Sequence, residues 1–252
     1  MKMTFDQYIQ NPMGVKNAVF SNREMYRNMY IERLNKLLVR EGGKIEYYLY
    51  KGKKKYYAYL KIPSETVEKF YYDVVIEFSE PEGKSPRSLR DYNVRFYSND
   101  PSFVFTFAHA FIKNELFINE YKDKMSREAV TQNADEKNPT NQVGYVKSLF
   151  FAYLIMGQKG LFNKLFYTGS YSERTVKGMI MNASEKIALR QELGEEAAKK
   201  KKKGKKQPEK VKTPTPTVKQ QVNRIAHTRT VNTIKTTNKS GNIKTTKTIK
   251  RK

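Results

Sequence analysis

Aromatic residues and positive charge are divided between two parts of this chain. All 18 tyrosines and 14 phenylalanines of its 252 residues lie before position 172. Residues 197–252 contain neither, and they carry 19 basic residues against one acid, Glu209, a net charge of +18. A segment without large apolar side chains cannot offset the entropy that it loses on ordering. We therefore expect a globular domain over residues 1–196, followed by a long basic C-terminal tail that is largely disordered.

The tail divides further by composition. Residues 197–222 combine a lysine run with the Pro/Thr stretch TPTPT at 213–217, which is typical of an extended linker. Residues 223–252 are rich in Thr, Ile and Lys on both sides of Gly241. This last pattern leaves two alternatives open, a solvated low-complexity tail or a β-hairpin or strand that orders on a partner.

Strand patterns occupy the first half of the body. Lys44–Tyr50 and Lys55–Ile62 are aromatic-rich runs separated by a Lys/Gly turn, which predicts a β-hairpin. Phe70–Phe78 indicates a half-buried strand, because one set of alternate residues (Tyr72, Val74, Ile76, Phe78) is apolar and the other (Tyr71, Asp73, Val75, Glu77) includes two acids. Asn93–Tyr97 is a shorter strand. Because the connections are short, the sheet should be antiparallel.

Sequence signals for helices occur before and after the predicted strands. Ser21 and Glu24 form an S-x-x-E capping box for a helix that Gly42-Gly43 should end. Asp100 is placed to cap a helix that begins at Pro101.

Further helices follow in the second half of the body. They are expected over Asn141–Met156 and from near Ser172 into the lysine run, with a polar surface loop over Lys122–Thr140. Strands followed by helices indicate the α+β class.

The residue types present exclude several kinds of chemistry. With no cysteine and only His109 and His227, thiolate and multi-histidine metal sites are excluded. No phosphate-binding loop, dinucleotide fingerprint, nucleophile elbow or zinc-protease motif occurs. We therefore assign no catalytic residue, metal or cofactor, and interpret His109 as a core histidine with a local hydrogen bond. The longest apolar stretches fall short of the roughly 20 residues of a membrane span, and the N-terminus lacks the apolar region of a secretory signal.

One enzyme stays open as an alternative. Asp73 followed by Glu82-Gly83-Lys84 matches the carboxylate and E-x-K pattern of magnesium-dependent nucleases. That site needs Glu82 and Lys84 on a strand, whereas the sequence places them in a loop. The favoured interpretation makes Asp73 and Glu77 polar residues on the outward face of their strand, and we expect no enzymatic activity.

The basic residues of the tail suggest a partner. A flexible cation binds phosphate backbones because each neutralised phosphate releases condensed counterions. Nothing in the tail is suited to reading base edges, so binding should be independent of sequence. The residues assigned to nucleic-acid binding are Lys199, Lys200, Lys201, Lys202, Lys203, Lys205, Lys206, Arg224, Arg229, Lys235, Lys244, Lys250 and Arg251.

A second basic segment lies in the predicted hairpin. Lys51–Lys61 interleaves lysines with Tyr56, Tyr57 and Tyr59. These rings either pack on the sheet, which is the favoured interpretation, or stack on bases.

Three segments resemble a known group of proteins. PMGVKNAVFSNREMYRNMY (12–30), FYSNDPSFVFTFAHAF (96–111) and VGYVKSLFFAYLIM (143–156) look like a family of uncharacterised proteins of tailed bacteriophages that infect low-GC gut bacteria. The resemblance covers roughly residues 1–190 and supplies no catalytic residues. It implies a phage-encoded, virion-associated component.

Together these features lead to a functional expectation. We expect a non-enzymatic phage structural or assembly protein, found in the virion or the bacterial host cytoplasm, that forms homo-oligomers. Its basic tail should contact nucleic acid, other virion proteins, or both, and no membrane. The alternatives are a free sequence-independent nucleic-acid-binding protein and, less favoured, the magnesium-dependent nuclease.

Overall fold

The computed structural model describes residues 2–10, 23–83, 86–132, 134, 137–138, 141–167, 171–204, 232–237 and 243–248. The chain divides into two units, Met1–Lys205 and Lys206–Lys252, which are described separately. No helix in these ranges is long and apolar enough to cross a membrane.

The first unit contains seven α-helices and four strands among its described residues. The helices are α1 (Phe5–Gln10), α2 (Arg23–Arg40), α3 (Ala108–Lys113), α4 (Arg127–Thr131), α5 (Lys147–Gln158), α6 (Glu173–Met179) and α7 (Ala183–Gly204); the strands are β1 (Tyr47–Lys51), β2 (Lys55–Pro63), β3 (Tyr71–Ser79) and β4 (Asn93–Ser98).

The four strands form one sheet in the order β1-β2-β3-β4, with every neighbouring pair antiparallel. The predicted hairpin is β1 and β2, with Tyr50 opposite Tyr57. The outer edge of β4 is partly covered, because Thr4 bridges to Asn93 and Phe117 bridges to Phe96. This arrangement confirms the α+β class and the antiparallel sheet.

One side of the sheet, here called the helical face, is fully apolar over its centre. Phe5 of α1 contacts Phe96 with ring centroids 5.0 Å apart, and Phe111 of α3 contacts the same ring at 5.9 Å. Helix α5 lies against β2 and β3. The central residues of this face are each 0% exposed: Ala58, Leu60, Val74, Ile76, Phe78 and Phe96.

The opposite side, here called the tyrosine face, is covered as well. Tyr121, in a 3-10 turn over Asn119–Lys124, stacks on Tyr97 with centroids 5.0 Å apart. Strand β3 is therefore buried on both sides, and the prediction of a half-buried strand was wrong. The reason is tertiary, since segments far along the chain fold back over this face. Its buried residues are Tyr50, Tyr57, Tyr59, Asp73, Val75, Glu77 and Tyr97.

Two predicted helix boundaries are confirmed. Gly42 and Gly43 follow α2 with φ of 64° and 73°, the left-handed conformation that glycine adopts without steric cost. Asp100 Oδ1 accepts a hydrogen bond from the Ser102 amide at 2.8 Å, so Asp100 caps the helical segment that starts at Pro101. This segment continues as a π-helix over Phe103–Phe107 and leads into α3. The Ser21 capping box lies outside the described residues.

Two segments of the body differ from their predictions. The predicted loop over Lys122–Thr140 contains α4, which Ser126 caps by accepting from the Ala129 amide at 3.3 Å. Helix α5 begins at Lys147 rather than Asn141. Residues just before it are held extended by Tyr8, whose hydroxyl donates to Gly144 O at 3.0 Å and accepts from Val146 N at 3.2 Å.

The helix predicted from Ser172 is two helices. Ser172 caps α6, accepting from the Thr175 amide at 3.2 Å. Ile180, between the two helices, and Ala183, the first residue of α7, are buried. A second start signal, Asn182 followed by Glu185, was missed in the sequence. Helix α7 then continues to Gly204, so Lys199–Lys203, predicted as linker, are helical.

In the second unit the structure describes two strands, β5 (Asn232–Thr237) and β6 (Ile243–Thr248). They pair antiparallel with Ile234 opposite Thr246, as the hairpin alternative predicts. The predicted disorder of the remaining tail lies outside the described residues.

Candidate nucleic-acid interface

Helix α7 carries the lysine run and is anchored to the folded domain by its first half. Leu189 and Leu193 pack against a small cluster formed by Val67, Phe70 and Tyr72. Burying these side chains removes apolar surface from water, and this fixes the direction in which the helix leaves the domain.

A buried ion pair adds a polar anchor. Lys186 Nζ lies 3.4 Å from Asp73 Oδ2, and the two side chains are only 13% and 2% exposed. Asp73 also accepts hydrogen bonds from the Tyr59 hydroxyl at 2.7 Å and from Asn99 Nδ2 at 2.6 Å. The carboxylate therefore has partners on both oxygens, and α7 is tied to the centre of the tyrosine face.

The second half of α7 leaves the domain. Residues 195–199 are all exposed, and the helix continues through Lys203 to Gly204. The five consecutive lysines Lys199–Lys203 therefore belong to the helical part of the chain. Lys199 Nζ lies 3.9 Å from Glu195, one turn earlier in the helix. We call residues 195–204 the lysine arm.

The other assigned residues are spread over the tail. Lys235 lies in β5 opposite Thr245, and Lys244 lies in β6 opposite Thr236. The remaining assigned residues lie outside the described ranges: Lys205, Lys206, Arg224, Arg229, Lys250 and Arg251.

The hairpin tyrosines belong to the core. Tyr57 is 5% exposed and Tyr59 is fully buried, and Tyr57 stacks on Tyr50 with centroids 4.6 Å apart. Tyr56 packs edge-on against Tyr92 and Tyr167. Tyr57 and Tyr59 have no free face for bases, and Tyr56 is half-buried against two rings, so the packing interpretation is confirmed.

The nuclease residues do not form one site. Glu82 is exposed and pairs with Lys2 at 2.5 Å, whereas Asp73 is enclosed as described above. Lys84 lies outside the described residues. Nowhere in the described ranges do three His, Asp or Glu side chains converge as metal ligands would.

The interpretation of Asp73 and Glu77 as outward polar residues was wrong. Glu77 is 0% exposed, and its Oε2 accepts from Lys55 Nζ at 2.9 Å and from the Tyr57 hydroxyl at 3.1 Å. Arg95 lies 3.7 Å from the other oxygen. Both acids are buried structural counter-ions of cations on neighbouring elements, which strand periodicity could not reveal.

His109 is half-buried, and its Nδ1 lies 3.2 Å from Asn141 Oδ1. The histidine therefore makes a hydrogen bond, but to a residue 32 positions away, and it is half-buried rather than part of the core as predicted.

Burial changes the acid–base behaviour of the tyrosine face. It raises the pKa of Tyr121 to about 12, because the tyrosinate anion is poorly solvated there. It also raises the pKa values of Tyr50, Tyr57 and Tyr59. These phenols are neutral structural groups at physiological pH.

Comparison of the chain with protein-family models, curated proteins and solved structures found no match.

Proposed function

We propose that this chain is a non-enzymatic assembly protein of a bacteriophage particle whose basic C-terminal segment contacts nucleic acid. The bacteriophage assignment is supported by the resemblance of the three body segments. The observation that carries the nucleic-acid contact is the lysine arm, which continues a docked helix and is exposed over residues 195–199. Because the first half of α7 packs on the domain, the arm begins at a fixed position on the folded domain.

The mode of contact follows from the residue types. The arm and the rest of residues 197–252 supply lysine and arginine but neither tyrosine nor phenylalanine, and Tyr57 and Tyr59 of the hairpin are buried. Contacts are therefore to phosphates, and affinity comes from counterion release. With about 6–10 phosphates engaged, affinity should fall by roughly 10³–10⁵ between 50 and 200 mM salt and depend little on base sequence.

The experiment measures fluorescence anisotropy of labelled duplexes of unrelated sequence across this salt range. In the test variant, Lys199–Lys203 are all changed to Gln. If all five bind phosphate, the negative slope of log affinity against log salt concentration should become less steep by about 4.5. A matched control changes five exposed lysines of the domain, Lys53, Lys54, Lys113, Lys122 and Lys159, to Gln and loses the same net charge. Salt-insensitive binding, or an equal loss in the control, would contradict the phosphate mechanism.

Assembly is tested separately from binding. An assembly subunit should sediment as an oligomer in the absence of nucleic acid and should be found by mass spectrometry in purified particles at a fixed copy number. A free nucleic-acid-binding protein, the second candidate, would bind duplexes equally well but remain absent from particles.

A further inference from the structure

One exposed aromatic ring lies beside a cavity that the proposed nucleic-acid contact does not use. Residues 103–107 form a π-helix that leads into α3. Phe103 is buried and Phe107 packs against the core, whereas Phe105 between them is 53% exposed. Aromatic side chains are enriched in the surfaces through which proteins associate. Phe105 is therefore a candidate contact with another protein.

The cavity beside this ring has a volume of about 270 Å³ and opens to the surface. Its walls come from the π-helix, the start of α3, and α4 with the residues that follow it. They include the apolar side chains Val104, Ala108 and Ala129. An apolar cavity of about 150 Å³ is large enough to hold benzene, so this one can receive a phenylalanine ring.

The position of Phe105 relative to the cavity is fixed by Asn138. This asparagine is 6% exposed, and its Nδ2 donates to Thr106 O at 3.1 Å and to Gln142 O at 2.9 Å. These bonds join the π-helix to the segment that precedes α5. The ring and the cavity wall are thus held in place before a partner binds, which lowers the entropic cost of association.

Charge distinguishes Phe105 from the other exposed apolar side chains. The chain carries a net charge of +24, so two copies repel each other. Residues 101–112 contain no lysine, arginine, aspartate or glutamate. By contrast, every other large exposed apolar side chain of the described residues has a lysine or arginine within three positions in the sequence. Association of two copies therefore meets less repulsion at Phe105 than at those positions.

The rim of the cavity carries both signs of charge. Glu128 lines the cavity, and Arg127 precedes it in the first turn of α4. Both side chains are exposed, and neither has an ion-pair partner in the described part of the chain. A two-fold interface uses the same patch on both subunits, so the patch must be complementary to itself. A ring beside a cavity and a cation beside an anion meet this requirement.

We infer that this surface is an interface between two copies of the chain. Phe105 of each copy covers the cavity of the other, and Arg127 of each pairs with Glu128 of the other across the two-fold axis. The inference rests on the proposed assembly function and specifies the surface through which subunits associate. Burial of the two rings supplies apolar stabilisation, and the charge pairs fix the relative orientation of the copies.

The test is analytical ultracentrifugation of the full-length chain without nucleic acid, over a range of protein concentrations. We expect the wild-type chain to self-associate and Phe105→Ser to weaken this association by at least about tenfold, because two rings are no longer buried. The matched control Phe166→Ser removes a ring that is also 53% exposed, and it should leave the association constant unchanged.

Charge reversal provides a second test that leaves the ring in place. Arg127→Glu and Glu128→Arg should each weaken association, because like charges then face each other, whereas the double change should restore it. Failure of the double change to restore association would overturn the two-fold pairing. In a mixture of isotope-labelled and unlabelled chains, intermolecular nuclear Overhauser effects should connect the Phe105 ring with the Ala129 methyl group.

Two further results would overturn the inference. Equal association of the wild type and Phe105→Ser would place the subunit contact on another surface and leave the assembly function standing. A monomeric wild-type chain would favour a different protein as the occupant of the cavity. Mass spectrometry of purified particles separates these failures from a failure of the assembly function, because it detects the chain in particles whichever surface the chain uses.

Discussion

The buried carboxylate of Asp73 is surrounded by two hydrogen-bond donors and one cation. Tyr59 and Asn99 donate to it, and Lys186 is its counter-ion on α7. Removing one partner of a buried ion pair leaves the other charge uncompensated, which is far more costly than the loss of a surface pair.

We therefore expect Asp73→Asn to lower the free energy of unfolding by about 3–5 kcal/mol. Urea unfolding followed by circular dichroism measures this change. The control Glu82→Gln removes an exposed carboxylate and should leave the urea midpoint unchanged. Equal midpoints for the two variants would show that Lys186 and Asp73 are not coupled.

Gly144 is a second residue on which packing depends. A Cβ atom at this position would lie 2.1 Å from Cε1 of Phe107, whereas a Cβ at Gly178 in α6 would meet nothing within 4 Å. Gly144→Ala should therefore destabilise the domain by about 1–3 kcal/mol through overpacking. Gly178→Ala should stabilise it by about 0.4–1 kcal/mol, because alanine restricts the unfolded chain. Thermal unfolding of the pair checks both signs, and destabilisation by both changes would contradict the packing argument.

At the scale of elements, the tyrosine face makes the domain sensitive to alkali. The pKa of Tyr121 is raised by burial, and that of Tyr71 is raised by its hydrogen bond to Glu41 and by burial, each to about 12. The folded state therefore holds these protons more tightly than the unfolded chain does. Their contribution to stability is complete below about pH 10, the ordinary tyrosine pKa, and is lost as the pH rises from 10 to 12.

We expect the free energy of unfolding to fall steeply above about pH 10, by up to about 1.4 kcal/mol per pH unit for each buried tyrosine. The measurement combines urea unfolding at a series of pH values with the ultraviolet absorbance of tyrosinate. Ionisation should coincide with unfolding for the buried rings. Titration of all 18 tyrosines near pH 10 in a folded protein would refute the burial of this face.

At the scale of the whole molecule, α7 joins the folded domain to the basic segment. Its side chains that pack inward end at Leu193, and residues 195–199 are exposed. Truncation after Glu196 should therefore keep cooperative thermal unfolding at nearly the same midpoint.

A second truncation, after Asn182, removes Lys186, Leu189 and Leu193 together. It should lower the midpoint strongly or abolish cooperative unfolding, because Phe70 and Tyr72 are uncovered and Asp73 loses its cation. Similar unfolding of the two truncated proteins would mean that α7 contributes nothing to the domain.

The sequence by itself determined the α+β class, the hairpin, the order of strands before helices and the division between an aromatic body and a basic tail. Each follows from local information, since alternation, turn residues and capping groups such as Asp100 act within a few positions. The cationic residues of the candidate interface were also identified by composition alone.

The tertiary structure decided what those elements face. Strand alternation distinguishes two sides of β3, but only the folded chain shows that both sides are covered and that Asp73 and Glu77 are buried with cations. Burial and charge pairing depend on contacts between distant residues, and no pattern along a single sequence encodes which distant segments meet.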